Sequence, residues 1–147
     1  MDFYASYRIN SEQKLVIQYL EGDVTFQALQ KFRMSVFSDP LYKPGYSRLN
    51  DFRNASFNVT PEIIKKYSAF EKSAAKYSTS KIVLLTDTPD QVATSMLYGF
   101  YSTGSSIVET FSTLESALRF LGISTNNLEQ IQEEMRQLQS SKTLIRL

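Results

Sequence analysis

Side chains able to do chemistry concentrate in one stretch, residues 47 to 64, which reads SRLNDFRNASFNVTPEII. A short apolar strand there delivers Asp51 and Arg53 to its end, and Ser56 and Thr60 offer hydroxyls just before a helix with Pro61 at its first position. A second strand, Lys81 to Thr86, runs directly into Asp87. If the two strands are neighbours in a parallel sheet, Asp51 and Asp87 face each other beyond the strand carboxyl ends, where open α/β sheets gather ligands. Paired carboxylates can share a proton or hold a magnesium ion. The plainer reading is that Asp87 caps the next helix and Asp51 pairs with Arg53 or a loop amide. A phosphoacceptor centre would need a further acidic pair and a lysine at a later strand end, and the sequence offers no such set.

Composition narrows the chemistry further. The chain of 147 residues contains no histidine and no cysteine, which removes the commonest general base, thiol nucleophiles, disulfides and the usual zinc ligands. No glycine-rich phosphate loop of the dinucleotide or Walker type is present, so no cofactor is expected. Lysine and arginine number 16 against 15 acidic residues, leaving no net field that would draw the chain to nucleic acid or an anionic membrane. The lysines Lys65, Lys66, Lys72 and Lys76, interrupted by Glu62 and Glu71, read as the solvated face of one helix. No apolar run is long enough to span a bilayer and the start MDFYASYRIN is unlike a signal peptide, so a cytoplasmic location is expected.

The elements that must position these residues follow from periodicity. Phe3, Ala5, Tyr7 and Ile9, then Leu15, Ile17 and Tyr19, alternate on either side of a polar break and predict an antiparallel hairpin. Thr25 is placed to cap a helix whose inner face is Phe26, Leu29, Phe32, Arg33 and Val36. After the loop Leu41 to Tyr46, a strand is predicted at Ser47 to Phe52. Thr60-Pro61-Glu62 opens a helix through Ile63, Tyr67, Phe70, Ala74 and Tyr77. Lys81 to Thr86, apolar on both faces, predicts a central strand. Asp87-Thr88-Pro89-Asp90 restarts a helix through Val92, Met96 and Phe100; Ile107 to Phe111 is another strand, and Ser112-Thr-Leu-Glu115 reads as a capping box before a helix closed by Gly122.

The expected architecture is therefore α/β: a mixed, mainly parallel open sheet of about five strands with an antiparallel edge hairpin, covered by four helices, plus a C-terminal helix. Residues 1–122 form the α/β domain and 123–147 a helical extension of it. In that extension Leu128, Ile131, Met135 and Leu138 make a narrow seam suited either to packing on the same domain or to a short coiled coil. The apolar ending Leu144 to Leu147 is expected to dock. Gly99 inside the helix run Leu97 to Tyr101 suggests close approach of helix to sheet, while Tyr98 and Tyr101 are candidates for a surface that a partner covers.

In order and spacing, the edge hairpin, Gly22-Asp23-Val24-Thr25, Lys43-Pro44-Gly45, Asp51-Phe52-Arg53, the strand Ile82 to Leu85, and Val108-Glu-Thr-Phe111 with Leu114-Glu-Ser-Ala117 resemble the bacterial STAS/SEC14-like proteins, whose fold is that of the anti-sigma-factor antagonists. The likeness covers roughly residues 1 to 122. It implies a domain that binds protein partners, sometimes switched by phosphorylation of a serine where the helix after the third strand begins. Here the usual Asp-Ser-Ser-Gly run is replaced by Val59-Thr60-Pro61-Glu62, which puts the serine switch in doubt and leaves Thr60 and Ser56 as the hydroxyls that would carry it. The expected function is non-catalytic protein interaction through a surface including Asp51, Arg53, Ser56, Thr60, Asp87, Tyr98 and Tyr101, with a homodimer among the arrangements allowed. The alternatives are a SEC14-like carrier, which requires an apolar pocket of several hundred Å³, and a carboxylate enzyme using Asp51 and Asp87.

Overall fold

The computed structural model describes residues 2–73, 81–104 and 106–147. The helical positions expected at Ala74, Lys76 and Tyr77 lie outside these.

Strands β1 (Phe3–Asn10) and β2 (Leu15–Val24) form the expected hairpin, with Phe3 opposite Gly22 and Asn10 opposite Leu15. Gly22 is required where it stands: its φ is +92°, and a Cβ there would lie 2.0 Å from the Asp2 carbonyl oxygen. Next come α1 (Phe26–Phe37), β3 (Ser47–Phe57), α2 (Pro61–Ser73), β4 (Lys81–Leu85), α3 (Pro89–Tyr101), β5 (Ile107–Phe111), α4 (Leu114–Leu121), α5 (Leu128–Ser140) and β6 (Thr143–Leu144). The sheet has six strands in the order β5-β4-β3-β2-β1-β6. β2 through β5 are parallel neighbours, while β1 and β6 pair antiparallel on the far side. The sixth strand takes in Leu144, and Ile145 packs on the core, so the apolar ending docks at its start while Leu147 stays exposed, and the hairpin is not itself the edge. β4 is internal, but β2 and β3 lie deeper.

Helices cover both faces. On one side α1 and α2 bring Leu29, Phe32, Val36 and Tyr67 onto Val16, Leu20, Phe52 and Leu84. On the other, α4 and α5 bring Leu118, Ile131, Met135 and Leu138 onto Leu15, Ile17, Leu49 and Val83. Covering on both faces is why all six residues from Leu15 to Leu20 are buried. The α5 seam is thus filled by the chain's own sheet.

Caps follow the hydroxyls. Thr25, Thr88 and Thr113 accept from the amides of Ala28, Gln91 and Ser116, and Thr60 from Ile63. Two details differ from expectation. The α4 cap is Thr113 rather than Ser112, and Thr88, rather than Asp87, caps α3 in a reciprocal box with Gln91.

β3 runs five residues beyond its expected end, which corrects the placing of Asp51 and Arg53. They sit inside the strand because a bulge keeps it paired: Tyr19 opposes Asp51, yet Glu21 opposes Asn54. The extra residue switches alternation, so Arg48 and Phe52 face the α1–α2 layer before the bulge, and Ala55 and Phe57 after it.

Gly99 approaches β5 only loosely. A Cβ there would meet Val108 Cβ at 3.6 Å, ordinary van der Waals contact, so the sheet does not demand glycine. Gly99→Ala should raise stability by about 1 kcal/mol, read from the urea midpoint, through the helix propensity of alanine. A loss of stability would show that the helix needs the smaller residue.

Candidate functional site

Midway along β2 and β3, on the α5 side, two of the sequence-selected residues, Asp51 and Arg53, do meet. Asp51 accepts from Arg53 Nε at 2.9 Å and from Nη2 at 3.0 Å, a bidentate pair, and also takes the Arg53 amide. That hydrogen bond, with the nearby Asp51 and Asp87 charges, raises the Arg53 pKa against partial burial. Alongside, the Tyr19 hydroxyl donates to Glu21 at 2.6 Å and accepts from Asn54 at 2.9 Å, while Lys142 reaches Glu21 at 2.9 Å. Burial, then the bond to Glu21, pushes the Tyr19 phenol up to about 12. The bond from Tyr19, then Lys142, holds the Glu21 carboxyl below its usual range.

Each group here is matched to a neighbour, and neither Tyr19 nor Glu21 is tuned toward neutral pH as a general acid or base would be. Asp51 spends both oxygens on Arg53, while Asp87 is exposed with its amide held by Gln91. Among the described residues no three acidic side chains gather as a metal site would need. Ser56 and Thr60 are exposed, Thr60 serving as the α2 cap.

Sequence reading placed Arg33 on the inner face of α1 without a role, passed over Arg48, and put Glu71 on the solvated face of α2, from which its carboxylate in fact turns inward. The structure joins them under the α1–α2–α3 layer. Arg33 and Arg48 are each 2% exposed. Arg48 Nη1 donates to Glu71 Oε2 at 2.8 Å, and Arg33 Nε lies 3.8 Å from the same oxygen. The Tyr67 hydroxyl accepts from Arg33 Nε at 2.7 Å and donates to Glu71 at 3.2 Å. Tyr98 donates to the other Glu71 oxygen and accepts from Arg48 Nη2 at 3.2 Å; Arg33 also donates to Gln18. Burial alone would raise the Glu71 pKa, but Arg48 and Arg33 outweigh it and hold the carboxyl below its ordinary 4.5. Burial, then Glu71, raises the Tyr98 phenol far out of physiological range.

Tyr98, expected at a partner surface, therefore has its hydroxyl committed inward. The two fully buried residues of α3, Gln91 and Ser95, are polar. Gln91 donates to the Arg53 and Ala55 carbonyls and accepts from the Asp87 and Thr88 amides, Ser95 is buried, and Ser102 just past the helix meets Ser68. Val92, Met96 and Phe100 consequently point outward, exposed at 36%, 67% and 73%. They repeat every four residues, so they form one stripe along the helix. Tyr101 is half-buried with its ring edge-on to Phe100 at 5.4 Å.

Comparison with solved structures decides the architecture. An uncharacterized protein of the DUF3478 family from Shewanella loihica PV-4, described as having a SpoIIAA-like fold, superposes with a TM-score of 0.56 at 11% identity, covering 81% of this chain and 94% of that one. The fold is SpoIIAA-like. This is the STAS architecture expected from the sequence, and at that identity the likeness carries fold alone. No family model and no curated protein matches the chain. Within the SpoIIAA-like frame, no described helix is long and apolar enough to cross a membrane.

Glu71→Gln should cost about 3–5 kcal/mol, because two buried guanidiniums lose their carboxylate. Since the folded pKa of Glu71 is depressed, its contribution is complete above the ordinary 4.5 and fades as pH falls through the folded value. Urea titrations from pH 3 to 7 should therefore show a shallower acid-side fall for the variant than for the parent; equal slopes would contradict the assignment.

Proposed function

We propose that the chain is a non-catalytic, STAS-like protein-interaction domain and that it docks through the outer face of α3. The inverted character of that helix carries the reading: polar side chains lie inward on β3 and α2, and Val92, Met96 and Phe100 face solvent. Isolated exposed apolar residues are ordinary, but an aligned stripe containing methionine and phenylalanine is the composition of an interface centre. From Gln91 to Val108 the sequence has no charged residue, matching the charge depletion of such centres. By contrast, α2 turns Glu62, Lys65, Lys66 and Lys72 outward, an ordinary solvated face. The surface beside Thr60 is therefore a weaker docking face than the sequence suggested.

The carrier reading needs an enclosed apolar cavity, which the open groove of about 510 Å³ beside Asp2, Glu21 and Asn54 is not. An apolar cavity of about 50 Å³ lies between the starts of α1 and α2 and the middle of α3, lined by residues including Phe26, Leu29, Phe57, Ile63 and Ser95. Small-molecule sites run to ~300–1,000 Å³. The cavity is well short of that, so interaction through α3 is the better-supported function.

A photoreactive benzoylphenylalanine replacing Met96, in cells that make the protein, should yield one discrete higher-mass adduct. The same group replacing Lys65, also exposed, should yield none. Absence of an adduct from position 96 would overturn the docking reading.

A further inference from the structure

We infer that the small cavity between α1, α2 and α3 is a binding site for a short-chain carboxylate, held at Arg33; the site is separate from the docking face and does not depend on it. Charge is the first reason. Under the helical layer two buried guanidiniums, Arg33 and Arg48, share one carboxylate, Glu71, so this cluster holds one more positive charge than it pairs. Buried charges are costly unless each has a partner. The sharing is also unequal. Arg48 Nη1 meets Glu71 at 2.8 Å, whereas Arg33 Nε stands off at 3.8 Å and donates instead to Tyr67, and Arg33 Nη1 donates to Gln18, both neutral. Among the described residues no hydrogen bond engages Arg33 Nη2.

The second reason is place. Arg33, the arginine with the weaker hold on Glu71, is the one that lines the cavity of about 50 Å³. Ser95 lines it as well, is 1% exposed, and has a hydroxyl without a hydrogen-bond partner. An unpaired buried hydroxyl carries a desolvation cost that a ligand oxygen would remove. A guanidinium and a hydroxyl in the wall of one cavity make a donor set for the two oxygens of a carboxylate.

The rest of the wall defines the other end of the ligand. Leu29, Phe52 and Leu84 are buried around the polar pair, and Phe26, Phe57 and Ile63 are half-buried toward the starts of α1 and α2. Such a wall would leave the further oxygens of a phosphate or sulfate unpaired, but it accepts an alkyl chain. With ~10–15 Å³ needed for one water-sized group, the cavity of about 50 Å³ admits roughly three to five heavy atoms. Propionate is of that size.

The test is a titration of the isotopically labelled full chain with sodium propionate at neutral pH, followed by amide chemical shifts. Saturable shifts are expected at Arg33, Tyr67 and Ser95, with a dissociation constant on the order of 1–10 mM, as suits so few ligand atoms. Propionamide, of the same shape but without charge, should bind at least ~10-fold more weakly. Ser95→Ala removes a hydroxyl that bonds nothing in the protein, so it should melt no lower than the parent while weakening propionate by ~10-fold. Ile63→Phe, which fills the half-buried side of the cavity, should abolish the shifts. Propionate that fails to saturate, propionamide that binds equally well, or Ser95→Ala that binds like the parent would overturn the inference. Sodium chloride that gives the same saturable shifts would mean an adventitious ion only, and would overturn it too.

Discussion

The Glu71 carboxylate, held under the helical layer by Arg48 and Arg33 and by the hydroxyls of Tyr67 and Tyr98, is the contact on which the rest depends. Two guanidiniums taken out of water demand an anion, and the demand is met from α2. Tyr98 completes the arrangement from α3, so satisfying it fixes the rotation of that helix. Gln91 fixes its start independently, spending its amide on the carbonyls of Arg53 and Ala55. Polar anchors on the inner face leave the apolar stripe of α3 with nowhere to go but outward.

This also explains why the fold could be read from the sequence more easily than the surface. Hairpin alternation, the caps at Thr25 and Thr60 and the strand-helix order follow from local rules, and the structure carries them. The period of α3 was legible too, since Val92, Met96 and Phe100 do share a face. Its direction was not, because hydrophobic periodicity assumes the apolar side faces the core. That assumption fails where buried partners lie elsewhere in sequence: Glu71 on α2, Arg48 on β3 and Arg33 on α1. The one local hint was Arg33, an arginine on an otherwise apolar inner face.

The strand-end cluster shows a different limit. Asp51 and Arg53 were rightly brought together, but the register shift opposite Leu20 has no signature in residue type, so the strand was ended too soon. Once β3 is extended, Asp51 and Arg53 form a closed pair, and Tyr19, Asn54, Glu21 and Lys142 a neighbouring chain of bonds. Such groups hold the bulge and the C-terminal segment in place. The scaffold is SpoIIAA-like, and its α3 turns Val92, Met96 and Phe100 to solvent.

The most direct check is the rotation of α3, read from nuclear Overhauser contacts. The Tyr98 ring packs against Tyr67 at 6.0 Å between centroids, so cross-peaks between those rings are expected, with none from the Met96 methyl to Leu84. This readout is independent of oligomeric state. Contacts from the Met96 methyl to Leu84, with Tyr98 silent toward Tyr67, would mean that the helix buries its apolar side after all.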